Sequence, residues 1–179
     1  MLALSALRVV FTASQLRRGA TIAAVQLEII RHDSTRHAEK PFAVESGFNP
    51  AWWNTGLVKG PVAWCSARDL GVGEIARAQI KIRSFVGEAY PTRRIPRHGA
   101  TEIDLIEVRV DLRGGGRAIG RSFVAMIKAE FPGPYVALSL DEGSDGFWRR
   151  LGWVEHDHPD AADHRARGGG VPAVLFETS

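Results

Sequence analysis

The sequence predicts a mixed α/β fold in a single domain over residues 1–179, and three observations carry that expectation. The first is order: short apolar runs of strand type dominate up to Val110, after which helix-like and strand-like runs take turns. The second is length, ample for one well-filled core and short for two. The third is composition, since 45% hydrophobic and 24% charged residues are those of an ordinary globular domain.

Taken in order, "LRVVFTA" (residues 7–13) reads as a strand, and "TIAAVQLEIIRH" (21–32) as either a helix or a second strand. "SGFNPAWWNTGLVKGP" (46–61) reads as a loop punctuated by Gly47, Pro50, Gly56, Gly60 and Pro61. "VAWCSARD" (62–69) and "EIARAQIKIRSF" (74–85) form an antiparallel pair joined through "LGVG". "GEAYPTRRIPRHGA" (87–100) is a loop. In "TEIDLIEVRVDL" (101–112) the apolar side switches between Leu105 and Ile106, the mark of a bulge or of a strand buried on both faces. "AIGRSFVAMIKAEF" (118–131) has helical spacing. "YVALSL" (135–140) is a strand, "SDGFWRRLG" (144–152) a short helix closed by Gly152, and "WVEH" and "PAVLFET" are the last two strands.

Between the strand ending near Val110 and the helix opening near Ile119 stand Gly114, Gly115, Gly116 and Gly120. Glycine is costly in ordered backbone, so four within seven residues imply a backbone that something must approach closely. A helix N-terminus exposes unsatisfied N–H groups at the positive end of its dipole, which suits a phosphate. Arg113, Arg117 and Arg121 add charge. A flexible surface turn is the plainer alternative, and the strand-to-helix setting favours the phosphate site. Gly115-x-x-x-x-Gly120-Arg121-Ser122 is one residue from a P-loop, but Arg stands where Lys belongs and little chain follows. No frame satisfies the dinucleotide fingerprint G-x-G-x-x-G.

"VRVDLRGGGRAIGRSF" (108–123) resembles the acetyl-CoA-binding motif of the GNAT superfamily of N-acetyltransferases, V-x-P-x-x-R/Q-G-x-G-x-G/A. Val110 matches the strand valine, and Gly116, Arg117, Ala118, Ile119 and Gly120 the phosphate loop. Farther on, "DEGSDGFWRRLGW" (141–153) resembles the later motif N-x-x-A-x-x-F-Y-x-x-x-G-F, with Asp141 at the Asn, Ser144 at the Ala and Trp148 at the Tyr. Two positions depart: Gly115 falls where Arg or Gln is usual, although Arg113 lies two residues earlier, and Trp148 lacks the phenol that serves relatives as general acid.

The resemblance implies a central mixed, mostly antiparallel sheet flanked by helices. It implies acetyl-CoA as co-substrate and an amine-bearing acceptor. The cofactor would be held by the backbone of Val108, Arg109 and Val110, by Arg113, Gly115, Gly116, Arg117, Ala118, Ile119, Gly120 and Arg121, and by Asp141, Ser144 and Trp148. Acetyl transfer needs in-line positioning, an N–H for the oxyanion and a base for the amine proton. Asp104, on the loop-bearing strand and on the side that faces the thioester in relatives, is the expected base, with Glu102 and Glu107 pointing away. Ser139, Ser144 and Tyr135 lie near the acid's position. A CoA-binding module without turnover is the non-enzyme alternative. The family's habit of dimerising implies a homodimer, and the only nucleic acid implied is an aminoacyl-tRNA as acceptor.

Other features point less far. "HDHPDAADH" (156–164) holds His156, His158 and His164 with three aspartates and could ligate a metal, but Pro159 and the lack of helical spacing between histidines favour a solvated loop; no metal site is expected. "PTRRIPRH" (91–98) reads as a charged surface loop before a nucleic-acid or acidic-substrate site. Trp52 and Trp53 either line an acceptor pocket or pack in the core. The net charge of +3 suits an anionic ligand. With Cys65 the lone cysteine, no intrachain disulfide forms, so the cytoplasm is the expected compartment. No apolar run reaches the roughly 18 residues of a membrane span. The acid-free first 25 residues read as fold rather than as a targeting segment.

Overall fold

A computed structural model of the chain describes residues 6–9, 25–32, 37–54, 56–92, 99–115, 118–131, 133–139, 142–166 and 172–178. Its strands and helices run β1 (Ala6–Val9), β2 (Val25–His32), β3 (His37–Glu39), α1 (Pro50–Trp53), β4 (Leu57–Lys59), β5 (Val62–Asp69), β6 (Gly73–Ser84), β7 (Ala100–Val108), α2 (Ile119–Glu130), β8 (Tyr135–Ser139), α3 (Glu142–Arg150), β9 (Val154–Asp157), α4 (Ala161–Ala166) and β10 (Val174–Glu177). Short 3-10 turns cover Val86–Ala89 and Val110–Leu112.

The described strands form an eight-stranded sheet in the order β1-β2-β5-β6-β7-β8-β10-β9, and β3 pairs with β4 in a small second sheet. Pairing is antiparallel for β1 with β2, β2 with β5, and β10 with both β8 and β9. β7 and β8 are parallel, in the register Thr101↔Tyr135 and Glu102↔Val136. The fold is therefore mixed α/β. A parallel neighbour needs a crossover, and α2 supplies it. The turn from β5 to β6 is closed locally: Asp69 Oδ1 accepts from the N–H of Gly71 (2.8 Å) and of Val72 (3.1 Å), and Gly73 takes φ +90°.

Contacts within the chain cluster into two compact units, residues 1–80 with 105–130 and residues 81–104 with 131–179. In the first, β5 is buried along most of its length, and Val58, Val62 and Trp64 pack with Ile30, Ala38 and Phe42. Arg77 is buried there as a cation. It pairs with Glu74 at 2.7 Å and lies 4.8 and 4.2 Å from the ring centres of Phe42 and Phe48. α2 buries Phe123, Val124 and Ile127, the apolar stripe its spacing predicts, and Glu130 at its end meets Arg31 at 3.0 Å.

In the second unit Tyr90, Ala100, Val136 and Leu175 form a core with Val86 and Leu138 against it. α3 suits its own dipole, with Glu142 and Asp145 in the first turn and Arg149 and Arg150 in the last. Gly152, at φ +78°, follows its end as the sequence predicts.

Several expectations are settled or corrected by these elements. The ambiguous 21–32 segment is a strand from Val25 onward. The 46–61 segment is not all loop: Pro50 starts α1, Asn49 caps it by accepting from the N–H of Ala51, and β4 follows. The expected loop at 156–164 contains the end of β9 and most of α4. β7 is buried on both faces, since the adjacent Glu102 and Ile103 are both enclosed. Residues 10–24 and 93–98, which hold most of the basic start and the arginine-rich loop, lie outside the described residues. No described helix is long and apolar enough to cross a membrane.

Candidate active site

The glycine-rich junction belongs to the first unit. β7 ends at Val108, and Val110, expected as the last strand residue, stands in the 3-10 turn and is 57% exposed. The backbone here is already bonded. The N–H of Arg109 donates to Ile75 O (3.0 Å), the N–H of Val110 donates to Gly47 O (2.9 Å), and Val108 O accepts from Arg113 Nε (2.8 Å). The expectation that this stretch offers free backbone groups to a pantetheine arm is corrected at Arg109 and Val110, whose amides have protein acceptors.

Arg109 and the expected phosphate arginine Arg113 are also committed elsewhere. Arg109 forms a two-bond pair with Asp111 (2.8 and 3.0 Å) and donates to Val72 O and Glu74 O. Arg113 donates to Glu107 Oε1 at 2.6 Å. Glu107 is a junction that the sequence does not reveal. Its buried carboxylate also accepts from Trp53 Nε1 (2.6 Å) and from the N–H of Asn49 (3.0 Å), so one side chain ties the 49–53 turn to the glycine run. Trp53 is accordingly core at 0% exposure, while Trp52 is 39% exposed.

Beyond the 3-10 turn, Gly114 takes φ +72° and Gly115 is exposed. Ala118 holds the N-cap of α2, because Ser122 N–H donates to its carbonyl at 3.0 Å. Alanine has no side-chain acceptor, so the N-cap residue itself supplies none of the usual Ser, Thr or Asp oxygen to the first turn of α2. Gly116, Arg117 and Asp141 lie outside the described residues.

Asp104 belongs to the second unit. Lys81 Nζ donates to its Oδ1 at 2.5 Å and stands 3.5 Å from Glu102 Oε1. Glu102 therefore shares the face of Asp104, as residues two apart on a strand must, and the expectation that it points away is overturned. Its Oε2 accepts from Ser84 Oγ at 2.6 Å. Burial pushes the Glu102 carboxyl above its ordinary value, against the pull of Lys81. Burial also draws the Lys81 ammonium down, but Asp104 and Glu102 outweigh it and hold Lys81 above its usual value. The cluster thus presents two carboxylates to one ammonium, an arrangement suited to accepting and passing a proton.

Ser144 on α3 and Ser139 at the end of β8 share a hydroxyl–hydroxyl bond. Trp148, the counterpart of the family's tyrosine, is 2% exposed and packs on Trp153 with ring centres 4.5 Å apart. It is a core residue here. Lys81 and Ser84 carried no signal in the sequence, whereas Glu102 and Glu107, set aside there as pointing away, turn out to hold Lys81 and Arg113. The chain matches no protein-family model, and no curated protein matches it.

Proposed function

We propose that this chain is an acetyl-CoA-dependent N-acetyltransferase of the GNAT type, transferring acetyl to a primary amine. The start of α2 carries the reading. A glycine run leads from β7 into a helix whose N-cap is an alanine, which offers no side-chain acceptor at the positive end of the dipole, the end that suits an anion. The mixed, mostly antiparallel pairing supports the same reading, with β7, the strand before the loop, parallel to β8. The pyrophosphate is then held by backbone amides of that helix start rather than by Arg109 or Arg113.

In the reaction the amine nitrogen bonds to the thioester carbonyl carbon and the carbon–sulfur bond breaks. The amine's proton passes to Asp104, which Lys81 holds beside Glu102. The thiolate leaves with a proton from water. Calorimetric titration with acetyl-CoA should show saturable binding, weakened about tenfold or more in Gly120→Glu, which puts bulk and negative charge at the helix start. Absence of binding, or tight magnesium–ATP binding with no response to CoA, overturns the proposal.

Burial of Trp148 in place of a phenol favours one second reading, a CoA-binding module without turnover. Release of free CoA across a panel of amines, peptides and aminoacyl-tRNAs separates the two.

A further inference from the structure

We propose that His158, Asp160 and His164 form a binding site for a first-row divalent cation of the zinc type, with at least one coordination position left for water or another ligand. One donor atom from each of the three lies within 4.8 Å of the others. Two imidazole nitrogens and one carboxylate oxygen suit zinc and its transition-metal neighbours, whereas calcium and magnesium prefer all-oxygen sets.

The chain builds this cluster despite the absence of helical spacing between the histidines. Asp160 and His164 are one turn apart at the start of α4, where His164 N–H donates to Asp160 O at 3.0 Å. His158 is folded back against that turn: its carbonyl accepts from the N–H of Ala161, and its own N–H donates to Ala173 O, both at 2.9 Å. The two imidazoles consequently lie 4.2 Å apart, 30° from parallel.

Both rings are oriented from outside the donor set, as metal-binding histidines are. His164 Nδ1 lies 3.0 Å from Pro172 O, and a carbonyl can only accept, so this nitrogen carries the hydrogen and Nε2 of the neutral ring keeps its lone pair. Tyr90 O–H donates to the same carbonyl at 3.0 Å, and its ring meets His158 edge-on at 5.2 Å. His158 Nδ1 accepts from the Asp160 N–H at 3.0 Å. A cation on Nδ1 displaces that bond, and a cation on Nε2 moves the ring proton to Nδ1 and also ends it. Binding therefore gives up one hydrogen bond, which weakens the site by about tenfold at most. The exposed Asp160 carboxylate has room to close the remaining distance.

The test is calorimetric titration of the full, tag-free, chelator-stripped chain with Zn2+. One ion per chain should bind, with affinity lowered about tenfold or more in His158→Ala and in Asp160→Asn, and unchanged in His37→Ala, an exposed histidine on β3. Asp160→Asn keeps the shape of an exposed side chain, so its circular dichroism should match the native chain. The visible ligand-field bands of bound Co2+ should shift in that variant, which a purely structural role does not produce. No saturable Zn2+ binding, or binding indifferent to both His158→Ala and Asp160→Asn, overturns the site.

Discussion

At the scale of single residues, Glu102 shows how burial and charge compete. Its carboxylate is 2% exposed, bonded to Ser84 and near Lys81, yet burial wins and its folded value lies above the unfolded one. A carboxyl raised in this way contributes stability that is fully present below the unfolded value and is lost as pH climbs through the raised folded value. Glu102→Gln keeps a polar partner for Ser84 without the buried charge. Thermal melts from about pH 4 to about pH 7 should show the variant gaining on the native chain as pH rises. A gap that stays constant or reverses would mean that Lys81 and Ser84 compensate the charge fully.

At the scale of elements, the approach of β6 to the start of β7 depends on Gly99. Its φ is +78°, and a Cβ built there would stand 2.7 to 2.9 Å from backbone atoms of Arg83 and Ser84. Arg83 itself takes φ 61°, so the backbone is already bent on that side and cannot give way. Gly99→Ala should destabilise by about 3 kcal/mol, the left-handed penalty plus a clash with rigid backbone. Gly114→Ala is the control. It shares a positive φ of +72° but has nothing within 4 Å of the added Cβ, and should cost only about 1 kcal/mol. Equal denaturation midpoints for the two variants would show that the close approach is not what requires glycine at 99.

At the scale of the whole molecule, Cys65 and the tryptophans report different things. Cys65 is fully buried in β5, and burial pushes its thiol up, so the native chain should be inert to thiol reagents. Its labelling measures opening of the first unit, which also holds Trp53 and Trp64; Trp148 and Trp153 belong to the second. Because β6 and β7 each contribute residues to both units, one transition is expected. The labelling midpoint in urea should coincide with that of tryptophan fluorescence; labelling well before the fluorescence change would show the first unit opening alone.

What the sequence determined by itself is what depends on neighbours a few residues apart. The hairpin of β5 and β6, the amphipathic α2 opening at the glycines, α3 closed by Gly152 and the last strands all follow from local periodicity, caps and turns, which act within one or two turns of chain. The short elements α1 and α4 escaped because four and six residues carry too little periodicity to register. The partners of charged groups lay beyond such reach. Arg113 has the sequence of a phosphate ligand and the structure of a counter-ion for Glu107, a carboxylate that also bonds a tryptophan 54 residues away. Glu102 joins Asp104 around Lys81 only once β6 lies beside β7. His158 and His164 face each other only because Pro172 and Ala173, ahead of β10, and the turn before α4 bring their backbones to bear. A buried charge must find a partner somewhere in the fold, and no rule of spacing says where; that choice belongs to the tertiary structure.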